Sequence, residues 1–229
     1  MRPIVIKIII IVLIIVGIFA IGFQFKNAQA FNIDTIKING DYSHISEDAL
    51  ESAITPFVQQ STFFNMDTQK INESLLQLPW IDHVEIRRDF PSSINVTLYE
   101  KKPVAIWNSK NLITADDVVF SPALSTFPND LPKINAPENQ SMVALDMFLK
   151  VDTLLKSFNL SIEQLNVSER HVWEFQLNNG IKIIVGNEQS LDRVKRFMMV
   201  YNKVIGDKYE QVISVDLRYQ SGFSIQWKK

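Results

Sequence analysis

A continuous apolar segment close to the N-terminus constrains this chain more than any other feature. Residues 8–23 carry no charge. With its flanks (4–25) the apolar stretch covers about 22 residues, close to the roughly 20 that a helix needs to cross a bilayer core. Lys7 is its one charged residue, and a lysine near a helix end can extend its side chain to the headgroups. The sequence therefore predicts a transmembrane helix at 4–25, preceded by a cytoplasmic tail of residues 1–3.

The basic residues around this segment predict its orientation. Arg2 and Lys7 lie at its start, whereas Lys26 follows it, and the positive-inside rule then places the N-terminus in the cytoplasm. The alternative is a cleaved signal peptide, since Ala28-Gln29-Ala30 has the small-x-small form of a cleavage site. The apolar run is longer than a usual signal peptide core, which favours a retained anchor. Both alternatives place the bulk of the chain outside the cytoplasm.

The composition removes several functional classes. The chain has no cysteine, so an exported domain must rely on its hydrophobic cores, and cysteine catalysis or cysteine metal sites are excluded. The formal net charge is −2, with acidic and basic residues interspersed. Because no basic stripe or cluster is present, we expect no nucleic-acid partner.

The part of the chain that follows the apolar segment has the pattern of a small α+β domain. A strand should begin the domain and end at the turn dipeptide Asn39-Gly40. Two helices follow, for which Ser46 and Asp67 are the predicted N-caps. The order strand, helix, helix, strand, strand predicts helices on one face of a short sheet. The predicted strands are 31–38, 81–88 and 93–100.

A second unit begins near Pro103 and is predicted to be a mixed β domain with helices. Four prolines interrupt residues 122–137, and apolar residues at helical spacing predict helices at 141–158 and 189–205. A hairpin is expected over Asn178-Asn179-Gly180. The predicted strands are 104–107, 112–114, 118–120, 165–167, 172–177, 181–185, 212–217 and 222–227.

No catalytic or metal-binding constellation stands out in the sequence. His44, His83 and His171 lie in different segments with no motif around them. Asp82 and His83 are adjacent on a predicted strand, so their side chains should point to opposite faces. Neither a glycine-rich phosphate loop nor a Ser-x-x-Lys element is present. We therefore predict no cofactor, no metal site and no enzymatic activity.

The C-terminal segment is the strongest candidate for an interaction surface. In residues 222–227, Phe223, Ile225 and Trp227 alternate with polar residues. A terminal strand often lies at a sheet edge, where free N–H and C=O groups can pair with another chain. The two lysines that end the chain would limit indiscriminate pairing. The alternative is that Phe223 and Trp227 are core side chains, which is compatible with pairing through the backbone.

Several sequence motifs are spread over the chain that follows the apolar segment. They are Leu78-Pro79-Trp80-Ile81, residues 84–91, Glu100, residues 103–107, Trp173 with residues 178–182, the helix segment 193–196, and Val215-Asp216-Leu217-Arg218-Tyr219. Together these motifs resemble the FtsQ/DivIB family of bacterial division proteins. The resemblance extends from the apolar segment to the C-terminus and implies a POTRA domain at 31–102, a β domain at 103–229 and a retained membrane span. The cytoplasmic tail is shorter than is usual in the family.

The resemblance also implies partners and the residues that contact them. The C-terminal face of the family binds FtsB, which is itself bound to FtsL, and arginines there would suit acidic partner residues through bidentate pairs. The second POTRA strand is implied in recruitment, with FtsK as the upstream candidate; here this surface would include His83, Ile86 and Arg88. Carried over residue by residue, the FtsB face comprises Arg170, Arg218, Tyr219, Ser221, Gly222 and Trp227.

The sequence therefore leads to the hypothesis of a non-enzymatic division scaffold. It would span the cell inner membrane once, with its C-terminal bulk in the periplasm, and concentrate at the division septum. It would link early and late division proteins and hold FtsB–FtsL, so regulating the proteins of septal peptidoglycan synthesis. The alternative is a POTRA-containing outer-membrane assembly or secretion component, which should carry a C-terminal barrel or several POTRA repeats. Neither is visible in the sequence.

Overall fold

The computed structural model describes residues 3–26, 31–59, 61–187 and 190–228. The chain divides into two compact units, Met1–Lys101 (unit 1) and Lys102–Lys229 (unit 2). Each unit has its own cluster of buried hydrophobic side chains. The mixed α and β content agrees with the α+β fold class predicted from the sequence.

The first helix, α1, covers Pro3–Lys26. Measured over the residues that the structure describes, none of the helices is both long enough and apolar enough to cross a membrane. The transmembrane helix predicted at 4–25 is therefore not confirmed. The alternative cleavage site at Ala28-Gln29-Ala30 lies outside the described residues, as do residues 1 and 2 of the predicted tail.

The rest of unit 1 is a three-stranded sheet with two helices. The strand order is β1-β3-β2; β1 runs parallel to β3, and β2 runs antiparallel to it. The central strand β3 buries Ile94, Val96 and Leu98 in the cluster that contains the helix residues, as the alternation in the sequence predicts. The elements are β1 Thr35–Asp41, α2 Glu47–Val58, α3 Thr68–Leu75, β2 Ile81–Asp89 and β3 Ser93–Glu100.

Both predicted helix N-caps of unit 1 are confirmed. The Ser46 hydroxyl accepts a hydrogen bond from the backbone N–H of Ala49 at the start of α2. The Asp67 carboxylate accepts hydrogen bonds from the N–H groups of Gln69 and Lys70, at 3.1 and 3.3 Å. Each cap satisfies N–H groups that have no partner within the first turn.

The predicted turn at Asn39-Gly40 is wrong, because β1 continues through these residues to Asp41. Gly40 pairs with Leu98 of β3 and has a φ of +117°. A Cβ atom at this position would lie 2.1 Å from the backbone oxygen of Leu98. Glycine is therefore required here for a close approach of two parallel strands and not for chain reversal.

Unit 2 is built on a nine-stranded sheet in the order β12-β11-β10-β9-β8-β7-β4-β5-β6. The predicted hairpin over residues 178–180 is present, since β9 and β10 pair antiparallel. The strands are β4 Pro103–Trp107, β5 Asn111–Thr114, β6 Val119–Phe120, β7 Lys133–Asn135, β8 Ile162–Val167, β9 Trp173–Leu177, β10 Lys182–Gly186, β11 Val212–Asp216 and β12 Ser224–Trp227.

Two features of unit 2 differ from the sequence prediction. Strand β7 lies in the proline-interrupted stretch, where the sequence predicts no strand; it pairs in parallel with β4 on one side and β8 on the other. The helix predicted at 189–205 is two helices, α5 at Ser190–Met198 and α6 at Tyr201–Val204. Helix α4, at Ser141–Lys156, agrees with the prediction.

Candidate partner-binding surfaces

The terminal strand β12 forms one end of the large sheet. It pairs antiparallel with β11 through Ser224, Ile225, Gln226 and Trp227. In the described part of the chain no strand pairs with its other side. Strand β12 therefore has an open backbone edge, to which an extended peptide could add by main-chain hydrogen bonds.

Helix α5 holds the segment between β11 and β12 in place. The Arg196 guanidinium donates a hydrogen bond to the backbone oxygen of Gln220 at 3.0 Å. The Phe223 ring packs edge-to-face on Phe197, a core residue of α5, with ring centroids 5.2 Å apart. The edge strand is thus connected to the core at the residue that precedes it.

Phe223 and Ile225 both pack against the hydrophobic core of unit 2. Trp227, in contrast, is 40% exposed. Of the three alternating residues predicted from the sequence, Phe223 and Ile225 therefore face the core, and Trp227 is an exposed aromatic residue.

The guanidinium of Arg218 is paired within the chain. Its Nε lies 2.9 and 3.0 Å from the two carboxylate oxygens of Asp216, and its Nη2 lies 2.6 Å from Oδ2. The Asp216 carboxylate also accepts a hydrogen bond from the backbone N–H of Arg218. The side-chain hydrogen bonds from Arg218 lower the pKa of Asp216, and the same bonds raise the pKa of Arg218. An acidic partner residue would have to share this guanidinium with Asp216.

A glycine of β10 makes room for the aliphatic part of Arg218. Gly186 has a φ of +84°. A Cβ atom there would lie 3.1 Å from Cγ of Arg218 and 3.0 Å from Nη1 of Arg193. The same Nη1 donates a hydrogen bond to the backbone oxygen of Val185 at 2.9 Å. Gly186 therefore allows two arginine side chains to pass close to the strand.

Five of the six residues predicted on the FtsB face lie at one end of the sheet. The register pairs Val167 with Trp173, Trp173 with Gly186, and Ile184 with Asp216. The turn containing Arg170 and the segment 217–223 consequently leave the sheet at the same end. The turn and the segment are separated by two to three strand spacings, on the order of 12 Å.

Within this group Tyr219 is the exposed aromatic residue, with 57% of its surface exposed. Arg170, Arg218 and Ser221 are also exposed, and Gly222 is partly buried. Trp227, the sixth predicted residue, pairs with Val212 at the far end of β11, roughly 13 Å away along the strand. The predicted face thus consists of a cluster at the sheet end and one aromatic residue at the other end of the β12 edge.

The three residues predicted for recruitment in unit 1 do not form one surface. Ile86 packs partly into the core beside the helices. Arg88 lies two positions after Ile86 on β2 and therefore on the same face of the strand. Its guanidinium donates hydrogen bonds to the backbone oxygens of Phe63 and Met66, at 3.2 and 2.7 Å. His83 is instead stacked on Tyr99, with ring centroids 4.1 Å apart.

The expectation that Asp82 and His83 point to opposite faces is wrong. Nδ1 of His83 lies 2.8 Å from Oδ2 of Asp82. The register between β2 and β3 shifts between Ile81 and His83. This irregularity interrupts the alternation of side chains on which the expectation is based. Both side chains are more than half exposed, which fits a solvated surface pair.

A histidine site that the sequence did not predict lies at the same, C-terminal end of β3. Nδ1 of His44 is 2.8 Å from Oε2 of Glu100, and the His44 ring stacks on Trp80 with centroids 4.0 Å apart. The backbone N–H of His44 donates to the second carboxylate oxygen at 2.9 Å. His44 and Glu100 are 56 positions apart, so no local pattern relates them.

Lys101, the residue after Glu100, connects two chain segments beside this histidine site. Its ammonium group donates to the backbone oxygens of Pro79 and Ile81. Burial lowers the pKa of Lys101, and the nearby negative charge of Asp82 partly opposes this effect. These two hydrogen bonds connect the residue after β3 to the segment where β2 begins. We therefore assign a structural role to the Lys101 side chain.

Unit 2 also contains an open groove with a volume of about 720 Å³. Its lining mixes acidic residues with Lys133 and Lys156. Over the described residues no group of three or more histidine or acidic side chains is arranged to hold a metal ion. The groove contributes no further residue to the surfaces described above.

Comparison with known proteins gives matches over both units. A family model for "Cell division protein FtsQ/DivIB, C-terminal" matches residues 105–218, and one for "POTRA domain, FtsQ-type" matches residues 31–101. Cell division protein FtsQ of Coxiella burnetii is 31% identical over 88% of this chain and 83% of the relative. FtsQ of Aliivibrio fischeri is 31% identical over 83% of this chain and 74% of the relative. FtsQ of Shewanella oneidensis is 28% identical over 93% and 83%, respectively.

Proposed function

Because this chain belongs to the FtsQ/DivIB family of cell division proteins, we propose that it is a non-enzymatic scaffold of the division machinery that binds the FtsB–FtsL complex. The resemblance inferred from its motifs is confirmed, and with it a role in cell division. The scaffold would link early and late division proteins and so regulate the proteins that synthesise septal peptidoglycan.

The open edge of β12 is the observation that supports this proposal most directly. A strand of FtsB would add to this edge and extend the nine-stranded sheet by one strand. Main-chain hydrogen bonds would supply much of the affinity, and side chains at both ends of the edge would supply the specificity. Because α5 holds the segment before β12, the edge is arranged before the partner arrives, which lowers the entropy lost on binding.

Tyr219 and Trp227 are the aromatic anchors of this proposal, and Arg170 and Arg218 are its charged contacts. Interface hot spots are enriched in tyrosine, tryptophan and arginine. Ser221 and Gly222 lie between Tyr219 and the strand, where a small side chain and a missing one permit close backbone approach. The pair of Arg218 with Asp216 fixes the orientation of the guanidinium at this end of the sheet.

The domain and membrane parts of the proposal follow the sequence. Residues 31–102 form a POTRA domain and 103–229 a β domain, and α1 anchors the chain once in the inner membrane with the bulk in the periplasm, concentrated at the septum. The uncharged run 8–23 and the exposure of the apolar α1 side chains from Ile10 to Phe19 support the anchor. Exposed apolar side chains on a helix are stable in hydrocarbon, where water is absent.

A recruitment role of unit 1, with FtsK as the upstream candidate, is also part of the proposal. The residues available for it are His83 together with Tyr99 on the sheet face away from the helices. Ile86 and Arg88 would act indirectly, since Ile86 packs on the core and Arg88 holds the segment with Phe63 and Met66.

The test is binding of the purified full chain, in lipid nanodiscs, to purified FtsB–FtsL. Deletion of residues 222–229 should abolish the interaction, because it removes the whole edge strand, while septal recruitment through unit 1 should persist in cells. Deletion of residues 228–229 alone is the matched control and should preserve binding. Circular dichroism of each variant verifies folding. Wild-type affinity in a folded 222–229 deletion would refute the proposed site.

A further inference from the structure

Four phenylalanines of unit 1 form an aromatic cluster at one end of its sheet. Phe31 lies 5.1 Å from Phe64 and 6.1 Å from Phe90 between ring centroids. Phe63 lies 5.4 Å from Phe64 and 5.5 Å from Phe90. The rings come from three separate segments: the stretch before β1, the α2–α3 connection and the β2–β3 turn. We refer to these four residues as the phenylalanine cluster.

Two rings of the phenylalanine cluster are far more exposed to solvent than the side chains of a hydrophobic core. The Phe90 side chain is 69% exposed and Phe64 is 46% exposed. An isolated exposed apolar residue needs no explanation, but a contiguous group of large rings is typical of a surface that contacts a partner or a membrane.

Backbone contacts fix the segments that carry the rings. The backbone N–H of Phe63 donates to the backbone oxygen of Phe31 at 2.7 Å, and Asn32 and Thr62 form an isolated β-bridge. The Arg88 guanidinium bonds to the backbone oxygen of Phe63 from the other side. The exposed rings are therefore presented by a rigid base, which a flexible loop tip would not provide.

The chain itself limits how far this cluster can be from the end of α1. Phe31 follows Lys26, the last residue of α1, by five positions. Whatever the conformation of the residues between them, five residues span at most about 18 Å. If α1 is the membrane anchor, as the proposed function states, Lys26 lies near the bilayer surface and the cluster lies within reach of it.

We infer that the phenylalanine cluster is a membrane-docking surface, whose exposed rings Phe64 and Phe90 insert into the boundary between lipid headgroups and acyl chains. This inference rests on the membrane anchor of the proposed function. Aromatic and aliphatic side chains on an amphipathic surface bind this boundary by burying apolar area. Asp34 and Asp89 lie beside the cluster, and their charges keep the insertion shallow because carboxylates remain in the aqueous headgroup layer. Docking would hold this end of the POTRA sheet at the membrane.

The absence of cysteine in the chain allows a direct test with one fluorescent probe per protein. The full chain is reconstituted in vesicles of phosphatidylethanolamine and phosphatidylglycerol, with phosphatidylcholine that carries a doxyl quencher at acyl carbon 5. The reporting position is Asn32→Cys, which is exposed and uncharged beside the cluster. The distal control is Gln77→Cys, which is also exposed but close to the start of β2. The two sheet ends are roughly 24 Å apart, judged from the length of β3.

Docking predicts at least a threefold stronger quenching at Asn32→Cys than at Gln77→Cys. Replacing both exposed rings (Phe64→Ser with Phe90→Ser) should reduce quenching at Asn32→Cys to the level of the distal control. The pair Phe64→Leu with Phe90→Leu keeps the apolar surface and should preserve most of the quenching. If circular dichroism shows that the serine pair is unfolded, the leucine pair still tests the inference. Loss of quenching in a folded leucine pair would contradict the docking surface.

A third probe separates failure of docking from failure of the anchor. Leu13→Cys, near the middle of α1, should be strongly quenched in matched vesicles with the doxyl group at acyl carbon 12 if α1 lies in the bilayer. Strong quenching at Leu13→Cys with equal, weak quenching at Asn32→Cys and Gln77→Cys would overturn the docking surface alone and leave the anchor intact. No quenching at Leu13→Cys would overturn both the anchor and the docking surface.

Discussion

Arg218 and Asp216 are joined through both a side chain and the backbone: Nη2 of Arg218 is 2.6 Å from Oδ2 of Asp216, and the Arg218 N–H donates to Oδ1 at 3.0 Å. The pair fixes the direction in which the chain leaves β11. The aliphatic part of Arg218 lies close to Gly186 of β10, the neighbour of β11 on the side away from β12. A stability effect and a binding effect of this pair can be measured separately.

The first prediction concerns the pH dependence of this pair. Its hydrogen bonds lower the pKa of Asp216 below the unfolded value of about 4. The pair therefore contributes its full stability above that value and loses it as the pH falls through the lower folded pKa. In thermal unfolding between pH 7 and pH 2, Asp216→Asn should be less stable than wild type at pH 7, with a difference that shrinks at the acidic end. Asp192→Asn, which removes an exposed ion pair with Lys195, should show little difference at any pH. A constant penalty for Asp216→Asn down to pH 2 would contradict the prediction.

The second prediction concerns Tyr219 as a binding hot spot. Tyr219→Ala should weaken binding to FtsB–FtsL by about 2 kcal/mol or more, because it removes the largest exposed ring at the sheet end. Arg218→Glu should also weaken binding, by reversing the charge at this end of the sheet. Met142→Ala, at a residue that is 68% exposed on α4, is the matched control and should bind normally. Titration calorimetry measures the affinities, and wild-type values in folded Tyr219→Ala and Arg218→Glu proteins would refute the interface.

The third prediction concerns the N-cap of α3. Asp67→Ala leaves the Gln69 and Lys70 N–H groups without their acceptor and should lower the free energy of unfolding of unit 1 by about 1 kcal/mol. Asp67→Asn keeps an acceptor oxygen and should lose much less. Urea unfolding followed by the fluorescence of Trp80, with the other three tryptophans replaced by phenylalanine, reports on unit 1 alone. Equal stability of the alanine and asparagine variants would show that the cap hydrogen bonds contribute little.

The fourth prediction concerns the close strand approach at Gly40. Gly40→Ala should destabilise unit 1 by about 3 kcal/mol or more, since it adds a clash with the Leu98 carbonyl to the backbone strain of a positive φ. Gly180→Ala is the matched control, because Gly180 also has a positive φ but a Cβ atom added there would meet nothing within 4 Å. It should therefore lose only about 1 to 2 kcal/mol of unit 2 stability. Similar losses in the two variants would argue against the steric part of the explanation.

Local signals in the sequence predicted much of the fold. The caps at Ser46 and Asp67 and the buried face of β3 follow from rules that involve neighbouring residues. Strand β7 could not be predicted, because three residues are too few for a periodic pattern and its partners β4 and β8 are distant in the chain. The break between α5 and α6 was missed for a related reason: Tyr201 continues the inward-facing helical pattern of α5, so spacing alone does not reveal the interruption.

The candidate site was predictable to a smaller extent. The edge position of β12 was expected from its place at the chain end, but that expectation alone could not reveal how α5 holds the segment before it. The pairing of Arg218 with Asp216 had an available signal, since residues two apart on an extended segment share a face. The His44–Glu100 contact and the phenylalanine cluster join segments that are far apart in sequence, so only the fold brings them together.

The short strand β7 has a mechanical consequence. It connects β4, β5 and β6 to the strands that end at β12, and it pairs with β4 through only two residue pairs, Ile106 with Lys133 and Trp107 with Ile134. A partner strand that pulled on β12 at right angles to the strands would load the adjacent ladders one after another. Along that path the β4–β7 ladder is the shortest one, so the transmission of force between β12 and β4 depends on this junction. Two hydrogen bonds between the Asn108 side chain and the backbone of Ala136 reinforce it.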